Sequence, residues 1–370
     1  MTVHVRGALL PNGDVRDVYV VDGRLTFIRP ADDVETLATE GFVTPGLVDI
    51  HAHLELASPA GDGAPPLEKI RASLSAHLDG GVLAVREPGG PSRMSTGMGP
   101  ADGLPRTFTA GRFLSVPGAY VPGLAREIDE DDLPDAAVEE LGHGTGWVKV
   151  IGERVHGGRF VPSFRPDVIA ETARRVHAAG GRLAMHVSQP DAIGAAVDAG
   201  FDSIEHGVLA QREHFVEMRR RGTAFVPTMI AMAAMLPHAR DMVAAMGVDP
   251  AAADELINAA QRHGRTVAAA LDEGVRVLAG TDAAIGPHGM VRLEIESLIA
   301  AGMAPADALG AGSWDARRFL GLPGLEEGAP ADLVVFGDDP RHQPGTLGSP
   351  SVVVLDGVVV KRSGHHLADG

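Results

Sequence analysis

Short apolar runs alternate with amphipathic segments along most of the chain, and turn-forming residues separate them. Near the start, Val3 to Leu10, Asp17 to Val21 and Arg24 to Ile28 are β-prone, with Pro-Asn-Gly-Asp and Asp-Gly between them. Such dipeptides between hydrophobic runs predict hairpins. The pattern returns at the far end in Asp332 to Phe336, Ser351 to Leu355 and Val358 to Lys361, where Asp356 and Gly357 supply the turn. Together the two ends predict one composite β-sandwich, formed by residues 1–45 and 325–370.

Between the ends, eight strand-like runs are spaced by helix-like stretches: Leu47 to His51, Val82 to Arg86, Thr107 to Ala110, Trp147 to Ile151, Leu183 to His186, Ser203 to His206, Ala224 to Val226 and Val275 to Ala279. The intervening stretches, such as Arg165 to Ala179 and Ala251 to Asp272, carry apolar residues at helical spacing. Regular strand-helix alternation predicts a parallel α/β architecture. A (β/α)8 TIM-type barrel over residues 46–324 fits the length.

Composition narrows the function. A formal net charge of −17 leaves no basic footprint for phosphate, which argues against nucleic acid and anionic membrane as partners. A small-molecule substrate fits better, and a homo-oligomer is the default for a soluble enzyme. The opening residues lack a charged segment followed by a long apolar one, and no window is apolar for the length of a bilayer. The expectation is a soluble cytoplasmic protein. With no cysteine, disulfides, thiolate ligands and a thiol nucleophile are excluded. Of the 32 basic residues only Lys69, Lys149 and Lys361 are lysine, so arginine serves wherever a surface cation suffices.

That scarcity directs attention to Lys149, set in the apolar run Trp-Val-Lys-Val-Ile. A bare ammonium there is costly to desolvate. Snorkelling from a strand end or pairing with a buried carboxylate would relieve the cost. The favoured reading is a reactive ε-amine, because carbon dioxide converts it to an anionic carbamate ligand. In Pro-Gly-Leu-Val-Asp-Ile-His-Ala-His the i, i+2 spacing on a strand sends His51 and His53 to one side, where two imidazoles can grip one metal. His186 and His206 also end apolar strands, and Asp282 follows the last one. Barrel chemistry is assembled on the C-terminal strand ends. Taken singly, such residues are more often a structural histidine or a turn-forming aspartate. It is their common position that counts.

This ordered set resembles the amidohydrolase superfamily, in its binuclear subtype with a carboxylated lysine. Val-Arg-Glu-Pro-Gly-Gly at the second strand and the stretch Asp191 to Gly207 look like its imidazolonepropionase-like and prolidase-like branch. The resemblance implies that His51, His53 and Asp282 hold a more buried metal and His186 and His206 a more exposed one, with Lys149 as the bridge. It further implies two divalent ions, zinc by preference, and a bridging hydroxide whose proton passes through Asp282 to the departing nitrogen. His-x-x-Glu of the mononuclear deaminases is absent, since Gln189 stands third after His186.

The implied activity is hydrolysis of a C–N bond in a small amide, N-acyl amino acid, dipeptide or cyclic amide. An Xaa-Pro dipeptidase or an imidazolone-type ring opener is the nearest alternative. A non-catalytic binding protein on the same fold is the alternative of another class. Arg86, Tyr120, Arg112, Arg154, His156 and His288 follow barrel strands and are candidates for substrate binding. No function is assigned to His4, His77, His177, His342, His365 or His366.

Overall fold

A computed structural model of the chain describes residues 2–31 and 33–362. His365 and His366 lie outside the described residues. The two ends of the sequence meet in one eight-stranded sheet, where a sandwich was expected. Val3–Leu9 pairs antiparallel with Asp14–Val21, which pairs with Arg24–Thr26. On the other side Val3–Leu9 runs parallel to Phe42–Pro45, and that strand pairs antiparallel with Leu333–Phe336 from the far end of the chain. Val352–Leu355 and Val358–Arg362 complete the edge.

The turn chemistry read from sequence is borne out locally. Asp22 and Gly23 have φ of 50° and 78°, and Asp356 and Gly357 of 49° and 85°. Two consecutive left-handed residues give the twist that tight hairpins need. Strand alternation then sorts the valines. Val335, Val352 and Val354 join Val3, Val18 and Val20 in one cluster, whereas Val334, Val353 and Leu355 face the main core.

The middle of the chain is an α/β fold. Leu47–Asp49, Val82–Glu87 and Arg106–Thr109 form a parallel three-stranded sheet. A parallel six-stranded sheet follows, in the order Arg126–Glu127, Leu114–Ser115, Trp147–Ile151, Arg182–Val187, Ser203–His206, Ala224–Val226. Helices such as Pro166–Ala178 and Pro190–Ala199 cover the strands; both place proline in the first turn, where its missing N–H costs nothing.

Two further expectations are corrected. Val275–Ala279 makes no regular strand, although it lies between Ala224–Val226 and the first strand. Leu278 N–H donates to Phe225 O at 2.9 Å, and Ile50 N–H to Ala279 O at 3.0 Å. The ladder fails because Ala279 N–H turns instead to Ala311 O and Val48 N–H to Gly312 O, at the end of helix Pro305–Ala311. The stretch Ala251 to Asp272 is not one helix but two, Pro250–Gln261 and His263–Asp272. Buried His263 docks there, its Nε2–H donating to Pro227 O at 3.0 Å.

Candidate metal centre

Asp49, two residues before His51, ties the first strand to the segment that carries Asp282. Its fully buried carboxylate accepts the Thr281 hydroxyl at 2.6 Å, the Thr281 N–H at 3.0 Å and the His51 N–H at 3.1 Å. The contact between the two segments is close enough that a Cβ at Gly280 would fall 2.7 Å from the His51 Cβ, so only glycine fits. Beyond it the chain turns sharply, with Asp282 at φ 51°, and the Asp282 N–H donates to His51 O at 2.7 Å. His206 and Thr228 are likewise left-handed, at φ 67° and 49°. Strained backbone at three strand ends is the signature of a site held by its surroundings.

Hydrogen bonds also set the imidazole tautomers. His51 Nδ1–H donates to Glu205 Oε2 at 2.5 Å, and His53 Nδ1–H to the Gly89 carbonyl at 2.8 Å. Each therefore turns a bare Nε2 lone pair inward. The two Nε2 atoms lie 3.3 Å apart and 3.4 and 3.2 Å from Asp282 Oδ1. Three acceptors converge with no proton between them, which fits a cation and is otherwise repulsive. His206 places its Nδ1 2.8 Å from the Thr228 hydroxyl. The ligand atoms of His51, His206 and Asp282 all fall within 4.8 Å of one another. The His186 ring stands 4.5 Å from that of His206, centre to centre.

Charge in this cluster is governed by desolvation. Burial drives His51 down to about 4 and His186 to about 3, and holds His206 well below the usual imidazole range. All three stay neutral and ligand-ready at pH 7. Lys149 is 1% exposed, and among the described residues its Nζ has no hydrogen-bond partner. Burial lowers its ammonium to about 8 against the pull of Glu205 and Asp282. A partly deprotonated, unpartnered amine beside inward-facing lone pairs fits the carbamate chemistry expected for it.

The weaker candidates divide. Tyr120 stands against His186, with ring centres 5.3 Å apart. Arg86 is fully buried and clamps both Glu205 oxygens at 2.7 and 2.8 Å while its Nε–H donates to Ile50 O. Its guanidinium is thus committed to Ile50, Ser203 and Glu205 beneath His51. Arg112 donates to Ala125 O at 2.9 Å. His288 is buried, bonded to Leu56 O and 3.3 Å from His77. Arg154 and His156 lie on the hairpin Glu153–His156 with Arg159–Pro162, His156 being exposed.

Sequence reasoning missed Glu205 and Glu153. A carboxylate inside an apolar strand was the available signal for Glu205. Glu153 is buried at the end of the Lys149 segment, beside a cavity of about 200 Å³ that His186, His206, Val208, Met232 and Leu256 also line.

Buried imidazoles and a carboxylate thus converge at the ends of parallel strands, a donor set that fits a divalent cation. A sequence model of the amidohydrolase family matches residues 42–361. The chain belongs to that family and is a hydrolytic enzyme acting on C–N bonds. An uncharacterised protein of Mycobacterium bovis is 37% identical over 359 residues, 96% of this chain and 95% of its own. The fold is similar to that of a Xaa-Pro dipeptidase crystallised with methionine in its active site, with TM-score 0.83, 19% identity and coverage of 98% and 100% of the two chains. Aspergillus niger ochratoxinase is similar at TM-score 0.80 and 19% identity, covering 99% of this chain and 96% of that one. Among the described residues no helix is long and apolar enough to cross a membrane.

Proposed function

We propose that the chain is a metal-dependent amidohydrolase cleaving a small amide, N-acyl amino acid, dipeptide or cyclic amide at a binuclear centre. The observation that carries the reading is the buried, unpartnered Lys149 Nζ in the field of a cluster where His51, His53 and Asp282 converge. His51, His53 and Asp282 would hold one cation, His186 and His206 the other. Lys149, carboxylated by carbon dioxide, would bridge them. Nitrogen and oxygen donors of this kind suit zinc. Divalent cations bound there supply the positive charge that acidifies water and polarises the scissile carbonyl.

The remaining chemistry belongs to the chain. Asp282 accepts the proton of the attacking water and returns it to the leaving nitrogen. Glu205, fixed by Arg86, holds His51 in the tautomer that presents Nε2. We read the two parallel sheets as arcs of one (β/α)8 barrel spanning 46–324. They are joined through Val275–Ala279 on one side and through the Thr145 N–H to Thr109 O bond, 2.8 Å, on the other. Residues 1–45 and 325–370 form the accessory β domain. Within this class, the apolar cavity beside His186 and the shared fold of a Xaa-Pro dipeptidase favour a dipeptidase of the prolidase-like branch over a ring opener.

Elemental analysis of metal-replete protein, followed by a hydrolysis screen over acyl-amino acids, dipeptides and cyclic amides, tests the proposal. Two equivalents and C–N turnover are expected. One equivalent or fewer would overturn the binuclear centre, and full metal content without turnover would favour a non-catalytic binding protein.

A further inference from the structure

Glu153 is a buried carboxylate to which no cation is paired among the described residues. Its Oε2 accepts two backbone N–H groups, from Ser188 at 2.9 Å and Gln189 at 2.5 Å. Among the described residues no charged neighbour acts on it, and burial lifts it to about 7 against these two hydrogen bonds. Glu205, Asp49 and Asp282 have partners in side chains, Glu205 in Arg86 and His51, Asp49 in Thr281, and Asp282 in His51 and His53; Glu294 is held, like Glu153, by two backbone N–H groups, but it does not line the cavity. A buried carboxylate is ordinarily paired. Glu153 borders the cavity that begins at His186 and His206, so a ligand in that cavity can reach it.

The rest of the cavity is of the opposite character. Past Glu153 and Ser188 its wall is Phe160, Val208, Met232, Met235, Val243 and Leu256, with exposed Met242 and Met246 on the lining. Methionines give an apolar surface that adapts to side chains of different shape. About 200 Å³ is below the roughly 300–1,000 Å³ of pockets for drug-sized ligands, and suits a single apolar side chain.

We infer that this cavity is the subsite for an α-aminoacyl group with a large apolar side chain, whose free ammonium pairs with Glu153 and whose carbonyl lies at the His186 and His206 end. An α-amino acid is the chemistry that places an ammonium and an apolar branch on the carbon next to the scissile carbonyl. Among the described residues its only basic side chains are His186 and His206 at the metal-site end, and no Lys or Arg lines it, which disfavours an acyl group bearing a carboxylate. This assignment rests on the hydrolase reading and names the substrate class that the same centre accepts.

The test uses the zinc-loaded full-length enzyme with p-nitroanilides of L-leucine, L-methionine, glycine and N-acetyl-L-leucine. Leucyl and methionyl substrates are expected to exceed both the glycyl and the N-acetyl-leucyl substrate at least tenfold in kcat/KM. Glu153→Gln keeps an oxygen for the Ser188 and Gln189 N–H groups and removes the charge. It should raise KM for the leucyl substrate and bring the free-amine preference close to unity. Leu256→Trp, which fills the cavity, should lower leucyl turnover more than glycyl turnover. Glycyl or N-acetyl-leucyl substrate cleaved as well as leucyl would overturn the subsite and leave the hydrolase reading standing. So would a Glu153→Gln enzyme whose preference is unchanged and only its Tm lower, which would make Glu153 a structural anchor. No turnover of any amide by metal-bearing protein would overturn the hydrolase reading, and calorimetry with L-methioninamide against N-acetyl-L-methioninamide then decides the subsite: tighter binding of the free amine supports it, and equal or weaker binding refutes it.

Discussion

Arg86 grips Glu205 through Nη2, which lies 2.7 Å from one carboxylate oxygen and 2.8 Å from the other, and Glu205 in turn fixes the His51 ring. The pair is fully buried, and Ser203 Oγ adds a further bond to Glu205 at 2.5 Å. Partners behind a ligating imidazole fix its tautomer and orientation, and their loss commonly lowers metal affinity about 10–100-fold. Glu205→Gln should therefore weaken metal binding on that scale while the polypeptide still folds, as read by chelator competition. Arg86→Met should cost more, about 3–5 kcal/mol of stability, because it strands a buried carboxylate. Metal affinity unchanged in Glu205→Gln would show that His51 does not depend on this pair.

Lys149 gives a second prediction. Its Nζ is buried without a partner, and burial has already lowered the ammonium to about 8. Intact-mass analysis of metal-replete protein under bicarbonate should show an added carboxylate that is lost with the metal. Lys149→Ala should lose both metal and activity, and short carboxylic acids should partly restore them. Lys149→Arg should restore neither, since guanidinium keeps its charge and forms no carbamate. Full turnover with two metals in Lys149→Arg would leave Lys149 a structural cation.

How far this site was legible in the sequence follows from which contacts are local. His51 and His53 announce themselves through a two-residue spacing on a strand, and Lys149 through apolar neighbours on both sides. Glu205 was passed over because its meaning depends on Arg86, 119 residues away in sequence. The same distance hides the partner of Arg86 from any local motif. Glu153 closes a backbone contact with Ser188 and Gln189 that no spacing reveals. In the fold, hairpins at Asp22-Gly23 and Asp356-Gly357 followed from their own residues. Val275–Ala279 has a strand's composition, yet its hydrogen bonds are partly taken by Ala311 and Gly312, which belong to a later helix.

The buried histidines predict acid lability. His77 is fully buried and driven to about 3 by desolvation, aided by His288. A histidine lowered in the folded state is protonated first in the unfolded chain, near pH 6.5. Its stabilising contribution is thus complete above that pH and is lost as pH falls from about 6.5 towards 3, at about 1.4 kcal/mol per pH unit. His51 and His186 add to the same slope in metal-free protein. Buried acids raised in the fold, Glu294 to about 8 and Glu153 to about 7, act with the opposite sign over the same window, so the contribution of His77 is read as a difference. In urea unfolding of chelator-treated protein, the parent should lose about 2 kcal/mol more than His77→Leu between pH 7.5 and pH 5. The same pH dependence in parent and variant would mean that His77 titrates normally in the fold.

Asp282 separates the roles of shape and charge most directly. Its backbone sits at φ 51°, its N–H holds His51 O at 2.7 Å, and its Oδ1 meets the Nε2 atoms of His51 and His53. Asparagine tolerates the left-handed region at least as well as aspartate, because its short polar side chain supports that turn. Asp282→Asn should therefore keep the fold, with Tm within a few degrees of the parent. What it removes is the carboxylate that takes and returns the proton, a function worth about 10²–10⁴-fold in rate, and an anionic ligand besides. Activity is expected to fall by at least that factor. Asp282→Ala should lose activity and also stability, since alanine has no such local support for a positive φ. The pair of variants thus divides the two effects: loss of turnover without loss of Tm in Asp282→Asn assigns the residue to chemistry. Near-normal kcat in that variant would reduce Asp282 to a turn residue at the end of an incomplete strand.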